Sequence, residues 1–391
     1  MDLFDKCNTD YIDEAIAAGL YPYFHILQSR QDVEVVMEGK RRIMLGSNNY
    51  LGLTVHPRVV EAAHRALEKY GSGCSGSRFL NGTLDLHVQL EQELAEFTGK
   101  EDAIVFSTGF QSNLGIISAL AGRGDYVVCD RENHASIYDA CKLSYAKMLR
   151  YHHNDMADLE KILQKIPCEA GILIVTDGVF SMSGDICDLP AIVQLGKKYG
   201  ARIMVDDAHG LGVLGQGGRG TADHFRLTDE VDIIMGTFSK SLASLGGYIS
   251  ASSRVTKFVR HAARPFIFSA SITPASTASA LEALHILKET PELPERLLQL
   301  SAYMRQGLTE RGVTIRESFT PIIPIYTYEQ DATMIVNKKL YDEGLYVNMV
   351  LPPATAPGEC LLRTSYMASH TEALLDEAAD IIKKVLTEYG L

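Results

Sequence analysis

Short apolar runs alternate with amphipathic stretches between residues 103 and 235, and this alternation constrains the fold more than any other feature of the sequence. The apolar runs have the length of buried strands, and the stretches between them have helical spacing. Such a pattern predicts an α/β fold with a mainly parallel sheet that is covered on both faces. The predicted strands are Ala103–Phe106, Tyr126–Cys129, Gly171–Val175, Arg202–Val205 and Val231–Met235, and the helices between them include Asp158–Gln164 and Leu189–Tyr199.

The sequence on either side of this region is richer in helical patterns. Before it, the spacing predicts helices over Val59–Tyr70 and Leu86–Phe97, and the expected buried face of the first holds Val59, Val60, Ala63 and Leu67. After it, the predicted helices are Ala275–Lys288, Pro294–Arg311 and Glu372–Glu388, and the strand candidates are Ile322–Tyr328 and Leu361–Thr364.

The length of 391 residues suggests more than one domain. We expect an N-terminal segment at 1–50, a large α/β domain at 51–274 and a smaller C-terminal α+β domain at 275–391.

The composition excludes several classes of protein. A net charge of −12 disfavours a nucleic-acid binder, which would present a basic surface. The seven cysteines form no CxxC or Cys/His cluster, so we expect neither a disulfide framework nor a metal site. No apolar run approaches the ~20 residues of a membrane helix, and the acidic N-terminal stretch lacks the features of a signal peptide. We therefore expect a cytoplasmic protein.

The residues best suited to catalysis or ligand binding follow two of the predicted strands. The strand in ARIMVDDAHG ends in Asp206, Asp207 and His209, and the strand in VDIIMGTFSKS ends in a turn of small residues that presents Lys240. Ligands of parallel sheets bind at the carboxyl ends of the strands. Alone, the acid and imidazole are as well explained by helix capping, and a loop lysine by surface exposure. Together, however, they favour a functional site in which the lysine is a nucleophile.

Weaker signals come from two further segments. In FSTGFQSN, the N–H groups of Gly109 and Phe110 at a helix N-terminus are suited to bind phosphate. In RENHAS, His134 could stack on a ring, although capping is the simpler explanation of that segment alone. The G-x-G-x-x-G pattern at 215–220 suggests a nicotinamide site, but it follows no clean strand and no βαβ continuation comes after it. We therefore reject a dehydrogenase.

These segments resemble a known family. The motifs GSNNYLGL (46–53), GSGCSGSRFLNGT (71–83), FSTGFQSN, DGVFSMSGD (177–185), VDDAHGLGVLG and GTFSKSLASLGG are similar to those of the α-oxoamine synthases, over about residues 20 to 385. That family consists of fold-type I pyridoxal 5'-phosphate (PLP) enzymes with an aminotransferase-like fold, which condense an amino acid with an acyl-CoA and release carbon dioxide. The segments at 71–87 and 235–247 most resemble bacterial serine palmitoyltransferases.

The resemblance implies a role for each matching residue. Lys240 would hold PLP as a Schiff base and act as the base, Asp206 would pair with the pyridine nitrogen, and His134 would stack on the ring. His209 and Ser181 would contact the ring oxygen, while Asn49 and Arg363 would bind the substrate carboxylate. The implied phosphate site consists of Thr108, Gly109, Phe110, Thr237 and Ser239, completed by Ser271 and Thr273 of the facing subunit in a homodimer.

The implied reaction joins L-serine and palmitoyl-CoA to give 3-ketodihydrosphingosine, CoA and carbon dioxide, the first step of sphingolipid synthesis. The same catalytic residues would also serve a glycine C-acetyltransferase or an 8-amino-7-oxononanoate synthase. A non-catalytic partner subunit is the alternative from another class, which the presence of Lys240, Asp206, His209 and His134 disfavours. The acyl chain length, contact with the inner face of a membrane and the CoA-binding residues stay open, with Arg254, Lys257, Arg260 and Arg264 as one candidate cluster.

Overall fold

The computed structural model describes residues 2–352 and 354–391, whose strands form three sheets. The strands are Glu34–Met37 (β1), Lys40–Met44 (β2), Asp102–Phe106 (β3), Tyr126–Asp130 (β4), Lys147–Tyr151 (β5), Ile172–Asp177 (β6), Arg202–Asp206 (β7), Ile233–Thr237 (β8), Gly247–Ala251 (β9), Ile322–Tyr328 (β10), Leu345–Tyr346 (β11), Asn348–Val350 (β12) and Cys360–Ser365 (β13). The helices are Asp10–Ala17 (α1), Pro57–Tyr70 (α2), Asp85–Thr98 (α3), Gly109–Leu120 (α4), Ala135–Ser144 (α5), Met156–Leu163 (α6), Leu189–Tyr199 (α7), Thr221–His224 (α8), Ser253–Ala262 (α9), Arg264–Ile267 (α10), Pro274–Glu289 (α11), Glu292–Glu310 (α12), Gln330–Asp342 (α13) and Glu372–Glu388 (α14).

The largest sheet has seven strands in the order β3-β9-β8-β7-β6-β4-β5. Strand β9 is antiparallel to both of its neighbours, and the pairs from β8 to β5 are parallel. Along β4, Val127 packs in a cluster with residues of α4 and α5, whereas Val128 packs in a cluster with residues of α6 and α7. Helices therefore cover both faces, which confirms the predicted α/β fold. Strands β5 and β9 were not predicted, because charged residues in KMLRY and small or polar residues in GYISA interrupt their apolar pattern.

The C-terminal part has the predicted α+β character. Strands β10, β13 and β12 form an antiparallel sheet, and α12, α13 and α14 belong to the same region of the chain. Its residues Ile322 and Ile382 share one core cluster with Phe238 of the large sheet region. The domain limits at residues 50 and 274 stay a prediction, because this core runs across the second of them.

Helix α2 buries only part of the predicted face: Val59 is buried as expected, but two of the other residues are not. Val60 and Leu67 are 40% and 44% exposed, whereas Ala62 and Ala66 are buried against Ala278 of α11. The small alanine side chains let the two helices approach closely, and this contact decides which face turns inward. The expectation for Val60 and Leu67 was therefore wrong.

Candidate active site

One cavity of about 230 Å³ opens at the carboxyl ends of the parallel strands, where the sequence placed the site. Strand β6 ends at Asp177, β7 ends at Asp206 and β8 ends at Thr237, and all three residues line the cavity. The predicted site residues that the structure brings together there are Thr108, Gly109, Phe110, His134, Ser181, Asp206, His209, Thr237, Ser239 and Lys240.

Lys240 lies in the turn between β8 and β9, and backbone hydrogen bonds close this turn. Phe238 N–H donates to the Gly246 carbonyl (3.0 Å), and Ser244 N–H donates to the Phe238 carbonyl (2.9 Å). The amine is partly buried, and desolvation lowers the pKa of Lys240 to about 8, with the charge of Arg363 acting in the same direction and that of Asp206 opposing it. A substantial neutral fraction near neutral pH makes this lysine a better nucleophile and base than an ordinary one.

The Asp206 carboxylate is buried and held by an amide that the sequence analysis did not single out. Asn113 Nδ2 on α4 donates to Asp206 Oδ2 (2.7 Å) and to Ser136 Oγ (2.8 Å), and the Ala208 N–H donates to Asp206 Oδ1 (3.1 Å). These contacts fix the carboxylate where a protonated ring nitrogen could bind it. The motif FSTGFQSN contains Asn113, but its partner lies on β7, so only the fold shows the contact.

A second carboxyl group, that of Asp177, lines the same cavity. Asp177 and Asp206 are paired residues on neighbouring strands, and Asp177 Oδ1 accepts a hydrogen bond from the backbone N–H of His134 (3.3 Å). Burial and the adjacent Asp206 raise the pKa of Asp177 well above its usual value. Asp177 had no predicted role, because DGVFSMSGD was singled out only as a family motif.

His134 is the N-cap residue of α5, which supports the simpler explanation of RENHAS, and it also lines the cavity. Its Nδ1 lies 2.7 Å from Ser136 Oγ. Burial lowers the pKa of His134, Lys240 adds to this effect and Asp206 opposes it. The imidazole is therefore mainly neutral at neutral pH, as suits a group that stacks on a ring.

His209 also lines the cavity, and its ring is bound to Tyr50, a residue without a predicted role. Tyr50 Oη lies 2.6 Å from His209 Nδ1 and 3.5 Å from Arg363 Nη2. Burial and the cationic Lys240 and Arg363 hold the pKa of His209 well below its usual value. The imidazole is therefore neutral, with a single N–H group.

Arg363 is buried on β13 beside this cavity, and its guanidinium meets Asn48 rather than Asn49. Arg363 Nη2 donates to Asn48 Oδ1 (2.9 Å), and its Nε donates to the Ser181 carbonyl. The Asn49 amide instead donates to Thr54 Oγ1 (2.7 Å). Two adjacent asparagines in GSNNYLGL are equivalent in sequence, and only the backbone path distinguishes them.

The N-terminus of α4 forms a cradle that fits a phosphate group. Thr108 Oγ1 accepts from the Gln111 N–H (3.1 Å), while the first-turn N–H groups of Gly109 and Phe110 point out of the helix end. A Cβ atom added to Gly109 would lie 2.9 Å from the Thr237 side chain. Only glycine fits there, so the space beside these N–H groups stays open.

Ser271 and Thr273 lie outside this chain's cavity. Ser271 Oγ donates to the Gly76 carbonyl (3.1 Å), and Thr273 caps α11 by accepting from the Ser276 N–H (3.3 Å). That Ser271 and Thr273 complete the phosphate site of a facing subunit therefore stays a prediction.

The candidate CoA cluster is divided by the fold. Arg260 is paired with Asp102, and Arg254 lines a separate cavity beside Tyr126 and Ile233, at the opposite edge of the sheet from the active site. The rejected glycine pattern at 215–220 forms a turn against Asp207, as a Cβ added to Gly220 would lie 1.9 Å from Asp207 Oδ2. Neither segment therefore contributes to the active-site cavity.

A charged cluster connects the loop after β6 to the C-terminal region. His153 lies 3.0 Å from Asp130 and 3.2 Å from Asp185, which also binds Arg316 (2.6 Å). Burial opposes protonation, but the hydrogen bonds to Asp130 and Asp185 outweigh it and raise the pKa of His153 to about 9. The charged imidazole thus joins strand β4 to the segment that carries Ser181.

Within residues 2–352 and 354–391, no helix combines the length and the apolarity needed to cross a bilayer. In the same residues, His, Cys, Asp and Glu side chains nowhere gather in a group of three or more that could hold a metal ion.

The comparisons with known proteins identify the family. The model of the aminotransferase class I and II family matches residues 40–382. The chain belongs to this family. The chain is 54% identical to a serine palmitoyltransferase from Bacteroides ovatus over 98% of the chain and 97% of that protein. It is 45% identical to an 8-amino-7-oxononanoate synthase from Geobacter sulfurreducens over 95% of the chain and 96% of that protein.

Solved structures agree with this assignment. A structure of SPT with a PLP internal aldimine superimposes with a TM-score of 0.97 at 39% identity, covering 100% of both chains. This confirms the predicted fold type. The donor set of the cavity also fits PLP: a phosphate cradle at Gly109, a carboxylate at Asp206, imidazoles at His134 and His209, and the amine of Lys240.

Proposed function

We propose that this protein is a PLP-dependent acyltransferase that condenses L-serine with a long-chain acyl-CoA, palmitoyl-CoA, and gives 3-ketodihydrosphingosine, CoA and carbon dioxide. The observation that carries the proposal is that Lys240, with its lowered pKa, shares one cavity with the buried Asp206. The neutral imidazoles of His134 and His209 line the same cavity. The choice of serine follows the relatives, because the serine palmitoyltransferase is 54% identical and the 8-amino-7-oxononanoate synthase 45%.

Each residue has a task that its environment supports. When bound, PLP supplies an electron sink that makes the Cα–H bond of an amino acid acidic. Lys240 Nζ would attach the cofactor and, once released, would take the proton from Cα as a general base with a pKa of about 8. Asp206 would hold the proton on the ring nitrogen, and the phosphate would bind the cradle at Gly109.

The substrate carboxylate would bind Arg363, whose guanidinium has no carboxylate among the partners described above. Asn48 orients this guanidinium, so we add Asn48 to the predicted Asn49 as a substrate-site residue. His134, packed at the N-terminus of α5, would orient the amino acid so that its Cα–H bond stands perpendicular to the ring. Loss of carbon dioxide after acyl transfer needs the same alignment, because the same orbitals accept the electrons.

An apolar rim supports a long acyl chain. Leu245 and Phe110 line the cavity although their side chains are 57% and 42% exposed. Exposed apolar side chains beside a polar site favour an apolar ligand segment. A short acetyl group, as used by a glycine C-acetyltransferase, would leave them in water.

A substrate panel tests the proposal. Purified protein is given palmitoyl-CoA, pimeloyl-CoA or acetyl-CoA with L-serine, L-alanine or glycine, and the products are identified by mass. Serine with palmitoyl-CoA should give the long-chain ketone, Lys240→Ala should abolish it, and Lys197→Ala, at an exposed site on α7, should not. Turnover of alanine with pimeloyl-CoA alone would support the oxononanoate synthase instead. A protein that shows no turnover and no spectral response to any amino acid would be the non-catalytic partner subunit.

We also propose a homodimer with shared sites, in the cytoplasm and with peripheral contact to the inner membrane face. Two features support the dimer: Ser271 lies outside the cavity of its own chain, and Tyr11 and Ile16 on α1 are 70% and 54% exposed. Sedimentation of the protein should show twice the chain mass. Mixed dimers of Lys240→Ala with Ser271→Ala chains should regain activity if one subunit completes the site of the other.

A further inference from the structure

The Tyr50 hydroxyl lies between a residue predicted to bind the cofactor and one predicted to bind the substrate. Tyr50 is fully buried in the segment between β2 and α2, and its hydroxyl is 2.6 Å from His209 Nδ1 and 3.5 Å from Arg363 Nη2. We propose that Tyr50 is a positioning residue that fixes His209 as the tautomer with its proton on Nε2, and that it couples this imidazole to the guanidinium of Arg363.

The direction of the hydrogen bonds follows from which groups can donate. A guanidinium only donates, so the Tyr50 oxygen accepts from Arg363 and keeps its own proton to give away. Two acceptors are available to that proton, His209 Nδ1 at 2.6 Å and Asn48 Oδ1 at 3.4 Å. The Asn48 oxygen already receives Arg363 Nη2 at 2.9 Å, and the shorter contact to His209 is the stronger one.

The His209 imidazole is neutral, so its ring carries one proton, on either Nδ1 or Nε2. The cations that face His209 are Lys240 and Arg363, and with burial and His134 they disfavour a second proton on its ring. The carboxyl groups of Asp206 and Asp177 line the same cavity, but the pKa of His209 stays well below its usual value. With Nδ1 accepting from Tyr50, the single N–H lies on Nε2, the nitrogen left for the cavity.

This arrangement has a consequence for the cofactor and the substrate. An Nε2–H group is a donor to an anionic ring oxygen, whereas the other tautomer would offer that oxygen a lone pair. A carboxylate that binds Arg363 draws on the same guanidinium that donates to Tyr50. Tyr50 therefore connects occupation of the carboxylate site to the donor strength at the ring oxygen, and any such coupling acts in both directions. This part rests on the proposed function, whereas the tautomer of His209 does not.

The tautomer is tested directly by ¹⁵N NMR of protein labelled only in histidine, in the PLP-loaded enzyme, with His209→Gln used to assign the signal. The wild type should show an unprotonated Nδ1 and a protonated Nε2 for His209. A protonated Nδ1 would overturn the proposal, and this measurement needs no variant that alters Tyr50.

The coupling is tested with Tyr50→Phe, and Tyr366→Phe is the matched control, because Tyr366 is another fully buried tyrosine whose hydroxyl binds a neutral partner, Thr364 (2.8 Å). Loss of one hydrogen bond corresponds to a change of about 2- to 10-fold in an equilibrium constant. We expect Tyr50→Phe to mix the His209 tautomers, to raise the pH midpoint of the cofactor absorbance and to weaken serine binding by that factor.

Tyr366→Phe should leave all three properties unchanged. An unaltered tautomer and absorbance midpoint in folded Tyr50→Phe, or equal changes in both variants, would refute the coupling. Failure of the proposed function is a separate outcome, because it appears as a missing product in the substrate panel while the tautomer stays as predicted.

Discussion

The lowered pKa of Lys240 gives a prediction whose sign separates charge effects from loss of structure. Burial brings the pKa from its usual 10.5 to about 8, so at pH 7 roughly one amine in ten is neutral, compared with about one in 3,000 for an ordinary lysine. That difference is about 300-fold. If nucleophilicity falls with basicity with a slope of about 0.5, as for thiols, the net advantage is roughly 15-fold.

The assay is reductive methylation of cofactor-free protein, followed by mass spectrometry of the peptides across a range of pH. Lys165, which is exposed just after α6, is the reference in the same sample. The rate for Lys240 should exceed that for Lys165 by about 15-fold at pH 7 and should reach half its maximum near pH 8.

Substitution of Asp206 by asparagine (Asp206→Asn) keeps an oxygen for Asn113 and removes the negative charge. Because Asp206 raises the pKa of Lys240, the midpoint should fall from about 8 to about 7. A variant that merely loosened the site would hydrate Lys240 and move the midpoint up, toward 10.5. Asp232→Asn, at the opposite edge of the sheet, is the control and should leave the midpoint unchanged. A midpoint for Lys240 that rises or stays at about 8 in Asp206→Asn would show that the Asp206 charge does not raise the pKa of this amine.

Three further predictions concern the cradle, the charged cluster and the rim. Gly109→Ala places a Cβ 2.9 Å from the Thr237 side chain and should weaken PLP binding by about tenfold or more in an absorbance titration. Gly122→Ala, where the nearest atom is 3.9 Å away, should not. His153→Gln should lower the free energy of unfolding by about 3 kcal/mol below pH 6.5, because the folded state holds the His153 proton more tightly than the unfolded chain. This difference should fade as pH rises through about 9. Equal losses of stability at pH 6 and pH 10 in urea denaturation would contradict this prediction. Leu245→Asn should raise the KM for palmitoyl-CoA by about tenfold with the KM for serine unchanged, whereas Leu143→Asn, at an equally exposed leucine, should change neither.

The sequence alone predicted the site residues that lie close in the chain to the carboxyl end of a strand. Asp206 directly follows one apolar run, His209 and Lys240 lie a few residues after such runs, and parallel strands bring these ends to one edge of a sheet. Contacts between segments that are distant in the sequence could not be predicted. Asn113 on α4 binds Asp206 on β7, and Tyr50, from the N-terminal part of the chain, binds His209. No local periodicity encodes a hydrogen bond of this kind.

The fold was predicted where the apolar runs were uninterrupted and missed where tertiary packing decides. Strand β9 at Gly247–Ala251 begins with one glycine and follows another, and it contains Ser250, so nothing in its own pattern marks it as buried. On α2, the larger Val60 and Leu67 suggested the wrong face, because the small Ala66 is the residue that lets α11 approach. Burial there follows the space between helices rather than side-chain hydrophobicity.

The turn that carries Lys240 is anchored at both ends in adjacent strands of one sheet, β8 and β9. A change in the length of this turn that moved β9 by one residue against β3 and β8 would turn buried side chains such as Ile249 to the opposite face of the sheet. We therefore expect this turn to tolerate fewer changes of length than an ordinary surface loop. We expect differences in substrate range to arise instead from point substitutions at the rim and in segments such as those of Asn48 and Arg363, which reach the site from outside the large sheet.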